Sequence, residues 1–215
     1  FYRLLLAHFI TDFPFQTKEI FELKMKSIWG GVLHSLIFLF TSCLLAYPYL
    51  VNPFILFFLF GLTILHYLID YAKLKSGLNN IWIFLADQAI HIFVISLVLF
   101  LPSAQIPRFL APGIIGNFYN NTTLILALIQ LIIGTYGGSF IIYYLKRDFV
   151  DERALYRRDI DGMIERLIIM LLFILNGPLF FLIPVVSAIR IIFYLLIIAR
   201  LKELRGIIIR AEPSI

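Results

Sequence analysis

All four histidines of this 215-residue chain fall within its first 91 residues, and three of them stand four positions from an aspartate. His8 precedes Asp12, His66 precedes Asp70, and Asp87 precedes His91. Helical positions i and i+4 share a face, so each pair points an imidazole and a carboxylate the same way. With seven aspartates in the chain, a histidine meets one at either offset by chance about 6% of the time, so three hits among four is roughly a one-in-a-thousand coincidence at helical spacing. His34, the fourth, stands alone. Neutral imidazole and carboxylate oxygen together ligate Zn²⁺, Fe²⁺ or Mn²⁺. Seven such groups exceed one four-coordinate site. They suit two metals about 3.5–4 Å apart, or one metal whose histidines are oriented by outer carboxylates.

The elements that would position these groups follow from composition. The chain is 61% hydrophobic and 14% charged, with a mean hydropathy of +0.96. That excludes disorder and leaves too little polar surface for a soluble globule, so the bilayer is the expected solvent. Spans need about 20 mostly apolar residues. The windows Ile28 to Tyr47, Phe54 to Ala72, Ile81 to Leu101, Thr122 to Leu145, Gly162 to Asn176 and Pro178 to Ala199 are read as six full spans, the last two parted by Asn176-Gly177-Pro178. Tyr2 to Phe13 is about half a span, either the end of a longer helix or one that enters partway. The expected fold is therefore all-α, a polytopic transmembrane helical bundle of six full spans plus a short N-terminal half or truncated helix. Its halves are a four-helix His/Asp half (1–101) and a three-helix half (122–206), joined by a non-cytoplasmic loop (102–121) and followed by a cytoplasmic tail (207–215). No secretory leader is evident. The net charge of +5 fits basic cytoplasmic loops rather than nucleic-acid binding. Connections on one side carry 14 Lys and Arg, among them Lys18, Lys24, Lys26, Lys73 and Lys75, against Arg108 alone on the other. The positive-inside rule makes the basic side the cytoplasm.

This threading puts Asp12 at the end of the first helix, His34 near the start of the second, and the remaining pairs at the same level. Four helices thus bring all seven groups into one slab towards the cytoplasmic face. Ionised groups in a membrane are costly and call for a partner, a metal or a water-filled cavity. Three readings follow: helix-to-helix hydrogen bonds, a proton or ion path, or a metal site. In the second half, Glu165, Arg166 and Arg190 lie on apolar helices. Either arginine would pair with the carboxylates or hold a substrate phosphate, and an Arg190–Glu165 ion pair is the structural alternative. Thr135-Tyr136-Gly137-Gly138-Ser139 suggests close helix packing, and Asn120-Asn121-Thr122-Thr123 suggests a helix N-cap rather than a glycosylation site. Gln16 to Ser27 reads as a short amphipathic interfacial helix. Cys43, the single cysteine, excludes an intrachain disulfide and reads as a small apolar side chain. No Walker loop, dinucleotide-binding glycine pattern, nucleophile elbow or HExxH is present.

The stretch His8-Phe-Ile-Thr-Asp12-Phe-Pro-Phe-Gln16, then His34, His66-Tyr-Leu-Ile-Asp70-Tyr-Ala-Lys73 and Asp87-Gln88-Ala-Ile-His91 resembles a bacterial integral-membrane family, domain of unknown function 3307, over roughly residues 4 to 95. Gly162-Met-Ile-Glu165-Arg166 and Ser187-Ala-Ile-Arg190 are similar to that family's later extension, with Val186 where a Lys usually stands and a divergent tail after Arg200. The resemblance implies a bacterial inner-membrane protein and no particular reaction. At the level of the site alone, the pattern is similar to membrane-bound metal-dependent hydrolases. The expected function is a membrane-embedded hydrolase with one or two Zn, Fe or Mn ions, acting at the cytoplasmic face on a lipid-like or amphiphilic ester, amide or phosphoester. His8, His34, His66 and His91 would be nitrogen ligands. Asp12, Asp70 and Asp87 would be ligands, a bridge or the general base, and Glu165, Arg166, Arg190 and Gln88 would contact substrate. The alternative is an ion or proton-coupled transporter or channel built on the same cluster. The partners expected are the lipid bilayer and an amphiphilic small molecule, with a homo-oligomer open and no nucleic acid.

Overall fold

The computed structural model describes residues 1–101, 113–149 and 160–174, and every regular element among them is helical. The helices are α1 (Tyr2–Asp12), α2 (Lys18–Lys26), α3 (Ile28–Leu45), α4 (Pro53–Ser76), α5 (Ile81–Ser96), α6 (Gly113–Asn120), α7 (Thr122–Ile132), α8 (Gly138–Phe149) and α9 (Ile160–Ile174). Their starts are written in short polar side chains that satisfy otherwise unpaired backbone N–H groups. Ser27, Asn52, Asn80 and Asn121 accept hydrogen bonds from Gly30, Phe54, Ile83 and Leu124 at 2.9–3.1 Å. The Asn121 contact is the N-cap expected of the Asn-Asn-Thr-Thr stretch. Pro53 opens α4, and Gly77 closes it with φ of +64°, a left-handed turn that suits glycine.

Among the described residues, four helical stretches are long and apolar enough to cross a membrane: Ile28–Leu45, Pro53–Ser76, Ile81–Phe100 and Thr122–Leu145. They coincide with the first four of the six expected spans. The fifth corresponds to α9, described over 15 residues. The sixth, with Arg190, the breaker at 176–178 and the tail, lies outside the described residues. So does most of the basic loop before α9. Part of the expected 102–121 loop is helical, as α6.

Residues 1–159 form one compact unit and 160–215 another. In the first, α1 packs against α3 and α7 and also touches α5, while α4 lies between α3 and α5. The helices α7 and α8, expected in a C-terminal half, pack against α1 and α5 respectively. At about 16 Å α1 is half a membrane long, yet seven of its 11 residues are buried. The small-residue stretch between α7 and α8 is a π turn, Ile133–Gly137. Close helix approach does not explain Gly137, because an added Cβ would meet neighbours only at 3.6 Å or beyond. The close approach falls at Gly30, where a Cβ would stand 2.2 Å from the backbone of Leu23. That contact seats α2 directly on α3, and it decides where Lys24 goes.

Candidate metal centre

The chain reversals bring the C-terminal ends of α1 and α4 to the N-terminal ends of α3 and α5. Asp12 is the last residue of α1, while His34, Asp70 and Asp87 each stand six residues inside a helix end. Six residues are about 9 Å of helix. The four imidazoles and three carboxylates meet there, none of these residues more than 7% exposed.

The tightest grouping joins three helices. Asp12 Oδ1 lies 3.2 Å from His34 Nε2 and 3.4 Å from His66 Nε2. Asp70 Oδ2 lies 3.5 Å from His34 Nε2 and 3.6 Å from His66 Nε2. Bonds of about 2.0–2.2 Å to a tetrahedral metal require ligand atoms about 3.3–3.6 Å apart. All four N···O separations fall close to that edge length. None of them has hydrogen-bond geometry: both ring nitrogens of His34 and His66, and Asp12 Oδ1, are buried without a hydrogen-bond partner. Buried polar atoms are rarely left so, and a cation among them accounts for three of the five, His34 Nε2, His66 Nε2 and Asp12 Oδ1.

Around this core, His8 Nδ1 faces Asp12 Oδ2 at 3.7 Å, and His91 Nδ1 faces Asp87 Oδ1 at 3.8 Å. His91 Nδ1 is also 2.8 Å from the backbone carbonyl of Asp87. As donor there, it leaves Nε2 with its lone pair, the arrangement that presents a ring to a metal. The rings of His8 and His91 stack at 4.8 Å, and His66 meets His91 at 4.5 Å. Two further trios place ligand atoms within 4.8 Å of one another: His8 with Asp12 and His66, and Asp70 with Asp87 and His91. Phe38 stacks on His66 at 4.6 Å and walls the cluster with apolar surface. Gln88 Nε2 bridges two of the acids, 3.2 Å from Asp87 Oδ2 and 3.5 Å from Asp12 Oδ2.

Two site residues escaped the sequence reading. Lys24, counted there as a loop charge, is buried and its Nζ lies 2.5 Å from Asp70 Oδ2 and 3.4 Å from Gln16 Oε1. Lys73 Nζ lies 2.7 Å from Asp87 Oδ2. Two of the three carboxylates, Asp70 and Asp87, thus find their cations in α2 and α4. A signal for Lys73 was present, since 66, 70 and 73 follow one helical stripe. Lys24 had only Gly30, which permits α2 to come close. Glu165 and Arg166 lie on α9 in the second unit.

A helical protein with, among the described residues, four membrane-length apolar helices and a buried His/Asp/Lys cluster is the class that fold and site define. The chain belongs to the family described as protein of unknown function (DUF3307), whose family model matches residues 1–112. All seven His and Asp of the cluster, with Lys24, Lys73 and Gln88, fall inside that match; Glu165 and Arg166 fall outside it. No curated protein and no solved structure matches the chain significantly.

Proposed function

We propose that the chain is a membrane-embedded, divalent-metal-dependent enzyme of the hydrolase type. It acts at the cytoplasmic face of a bacterial inner membrane on an amphiphilic ester, amide or phosphoester. The observation that carries the reading is that Asp12 Oδ1 and Asp70 Oδ2 each approach both His34 Nε2 and His66 Nε2, at N···O separations of 3.2–3.6 Å without hydrogen-bond geometry. A bound Zn, Fe or Mn ion would supply Lewis acidity and a water acidic enough to ionise near neutral pH. Asp12 and Asp70 would neutralise the ion and His34 and His66 would fix it. Asp87 is held through Oδ2 by Lys73 and Gln88, so its buried Oδ1, without a hydrogen-bond partner, is the proton acceptor in this reading. The basic excess at this end of the bundle supports the cytoplasmic side. A depth of about 9 Å below the helix ends, beside the exposed Phe21, Leu23 and Met25 of α2, suits an amphiphile.

The buried Lys24–Asp70 and Lys73–Asp87 pairs favour a second reading, proton or ion transport through charge-compensated acids. Elemental mass spectrometry on detergent-purified protein separates the two. The enzyme reading expects bound Zn, Fe or Mn, lost at least 100-fold in affinity in His34→Ala/His66→Ala while the variant stays folded. It also expects turnover of lipid-like esters or amides. A chain that binds no metal after reloading, yet moves protons or cations across liposomes, would overturn it.

A further inference from the structure

The cluster has a charge count that its geometry makes meaningful. Three carboxylates, on Asp12, Asp70 and Asp87, converge with two ammonium groups, on Lys24 and Lys73. The Lys24–Asp70 pair is shielded on both sides, at 6% and 7% side-chain exposure, and Asp87 is 4% exposed beside a Lys73 that is 26% exposed. With acids and lysines ionised the set carries one net negative charge. Asp12 is the acid with no lysine among its described ion-pair partners: its oxygens face His8, His34, His66 and Gln88. The uncompensated charge therefore sits where Asp12 Oδ1 meets His34 Nε2 at 3.2 Å and His66 Nε2 at 3.4 Å.

One divalent cation there turns the balance to one net positive charge, which a single anionic ligand from water or substrate neutralises. Two divalent cations would leave three net positive charges in a buried site, and uncompensated buried charge is strongly disfavoured. The geometry agrees. A second ion near His8 and His91 would be bound through Asp87 Oδ1, and the other oxygen of that carboxylate already pairs with Lys73 at 2.7 Å, so the ion would stand beside an ammonium group.

We propose that the centre is mononuclear. One divalent cation is held by Asp12, His34, His66 and Asp70, and Lys24 and Lys73 occupy the electrostatic place of a second. The stacked His8 and His91 lie outside the coordination sphere. The two lysines are thereby positioning residues: each fixes one oxygen of its aspartate and sets how much positive charge the cluster accepts. This inference rests on the metal reading above and narrows it to one ion.

The test is equilibrium dialysis of the detergent-purified full chain against Zn²⁺, with stoichiometry from elemental mass spectrometry. The wild type is expected to bind one Zn²⁺ per chain, and K24Q/K73Q two. Lys24→Gln alone should bind its single ion about tenfold more tightly or better, because a like charge beside Asp70 is gone. Lys24→Arg, which keeps that charge, should match the wild type. His8→Ala should keep its one ion per chain with an affinity loss of about tenfold, as expected of a residue that faces the ligand Asp12 rather than the ion. Two ions on the wild type, one of them lost in His8→Ala, would overturn the mononuclear centre and leave the metal reading standing. If K24Q/K73Q does not fold, His8→Ala and Lys24→Gln decide. No Zn²⁺ on the wild type would bring down the metal reading itself.

Discussion

The apolar spans Pro53–Ser76 and Thr122–Leu145 are each 24 residues long, and each buries 28% of its most apolar stretch. What they bury differs in kind. The second buries Thr135 and Ser139, whose hydroxyls donate within their own helix, to the Leu131 carbonyl at 2.6 Å and the Thr135 carbonyl at 2.9 Å. The first buries His66 and Asp70, whose partners come from α1, α2 and α3. A hydroxyl is small enough to be satisfied by the carbonyl one turn back. An imidazole ring and a carboxylate are not, so burying them commits other helices to come and meet them. Hydropathy registers both spans alike; buried ionisable groups met from other helices mark the one that belongs to a site, whereas the buried Tyr144 of the second span donates to a neutral amide, Asn79 Oδ1, at 2.9 Å.

Breaking the buried pair gives the largest expected effect on stability. Lys24→Met leaves Asp70 buried opposite no cation, a loss of about 3–5 kcal/mol for a buried ion pair deprived of one partner. Saturating Zn²⁺ should restore most of it, because a ligand that binds only the folded chain stabilises it by mass action. Thermal unfolding in detergent, with and without Zn²⁺, reads both numbers. A variant as stable as wild type without metal would show that α4 tolerates its acid unaided, and the contrast with the other span would collapse.

Much of this was legible in the sequence, for identifiable reasons. Apolar runs and short polar caps mark α3, α4 and α5 because both signals are local. The His/Asp pairs were legible because spacing on one helix is a property of sequence alone. His34 had no such partner: its neighbours Asp12 and Asp70 lie 22 and 36 residues away along the chain. Lys24 was missed because an amphipathic segment rich in Lys and Glu looks the same whether one lysine faces solvent or turns inward. The span from Thr122 was legible, but its π turn was read as a packing motif because small residues serve both purposes.

Gly30 tests the seating that makes Lys24 a site residue. An added methyl meets the Leu23 backbone at 2.2 Å, whereas at Gly31 it would meet the Tyr67 ring at 3.0 Å, a side chain that can move. Gly30→Ala should therefore cost about 1–3 kcal/mol, in the range of overpacked cores, and Gly31→Ala less. Faster proteolysis within residues 18–26 of Gly30→Ala, and not of Gly31→Ala, would trace the loss to α2 lifting from α3. Equal behaviour of the two would place the origin of the Lys24–Asp70 contact elsewhere.

The smallest effect is expected at the hydroxyls, where the comparison is sharpened from its quiet side. Thr135→Val keeps the branched shape and removes the donor to Leu131. The carbonyl retains its place in the helix, no ion is left without a partner, and a net hydrogen bond contributes about 1 kcal/mol. The unfolding midpoint in detergent should thus change by no more than that energy, with Zn²⁺ stoichiometry unaltered. If Thr135→Val matched the loss at Lys24→Met, or released metal, the polar groups of the two spans would belong to one connected network rather than to a site and its scaffold.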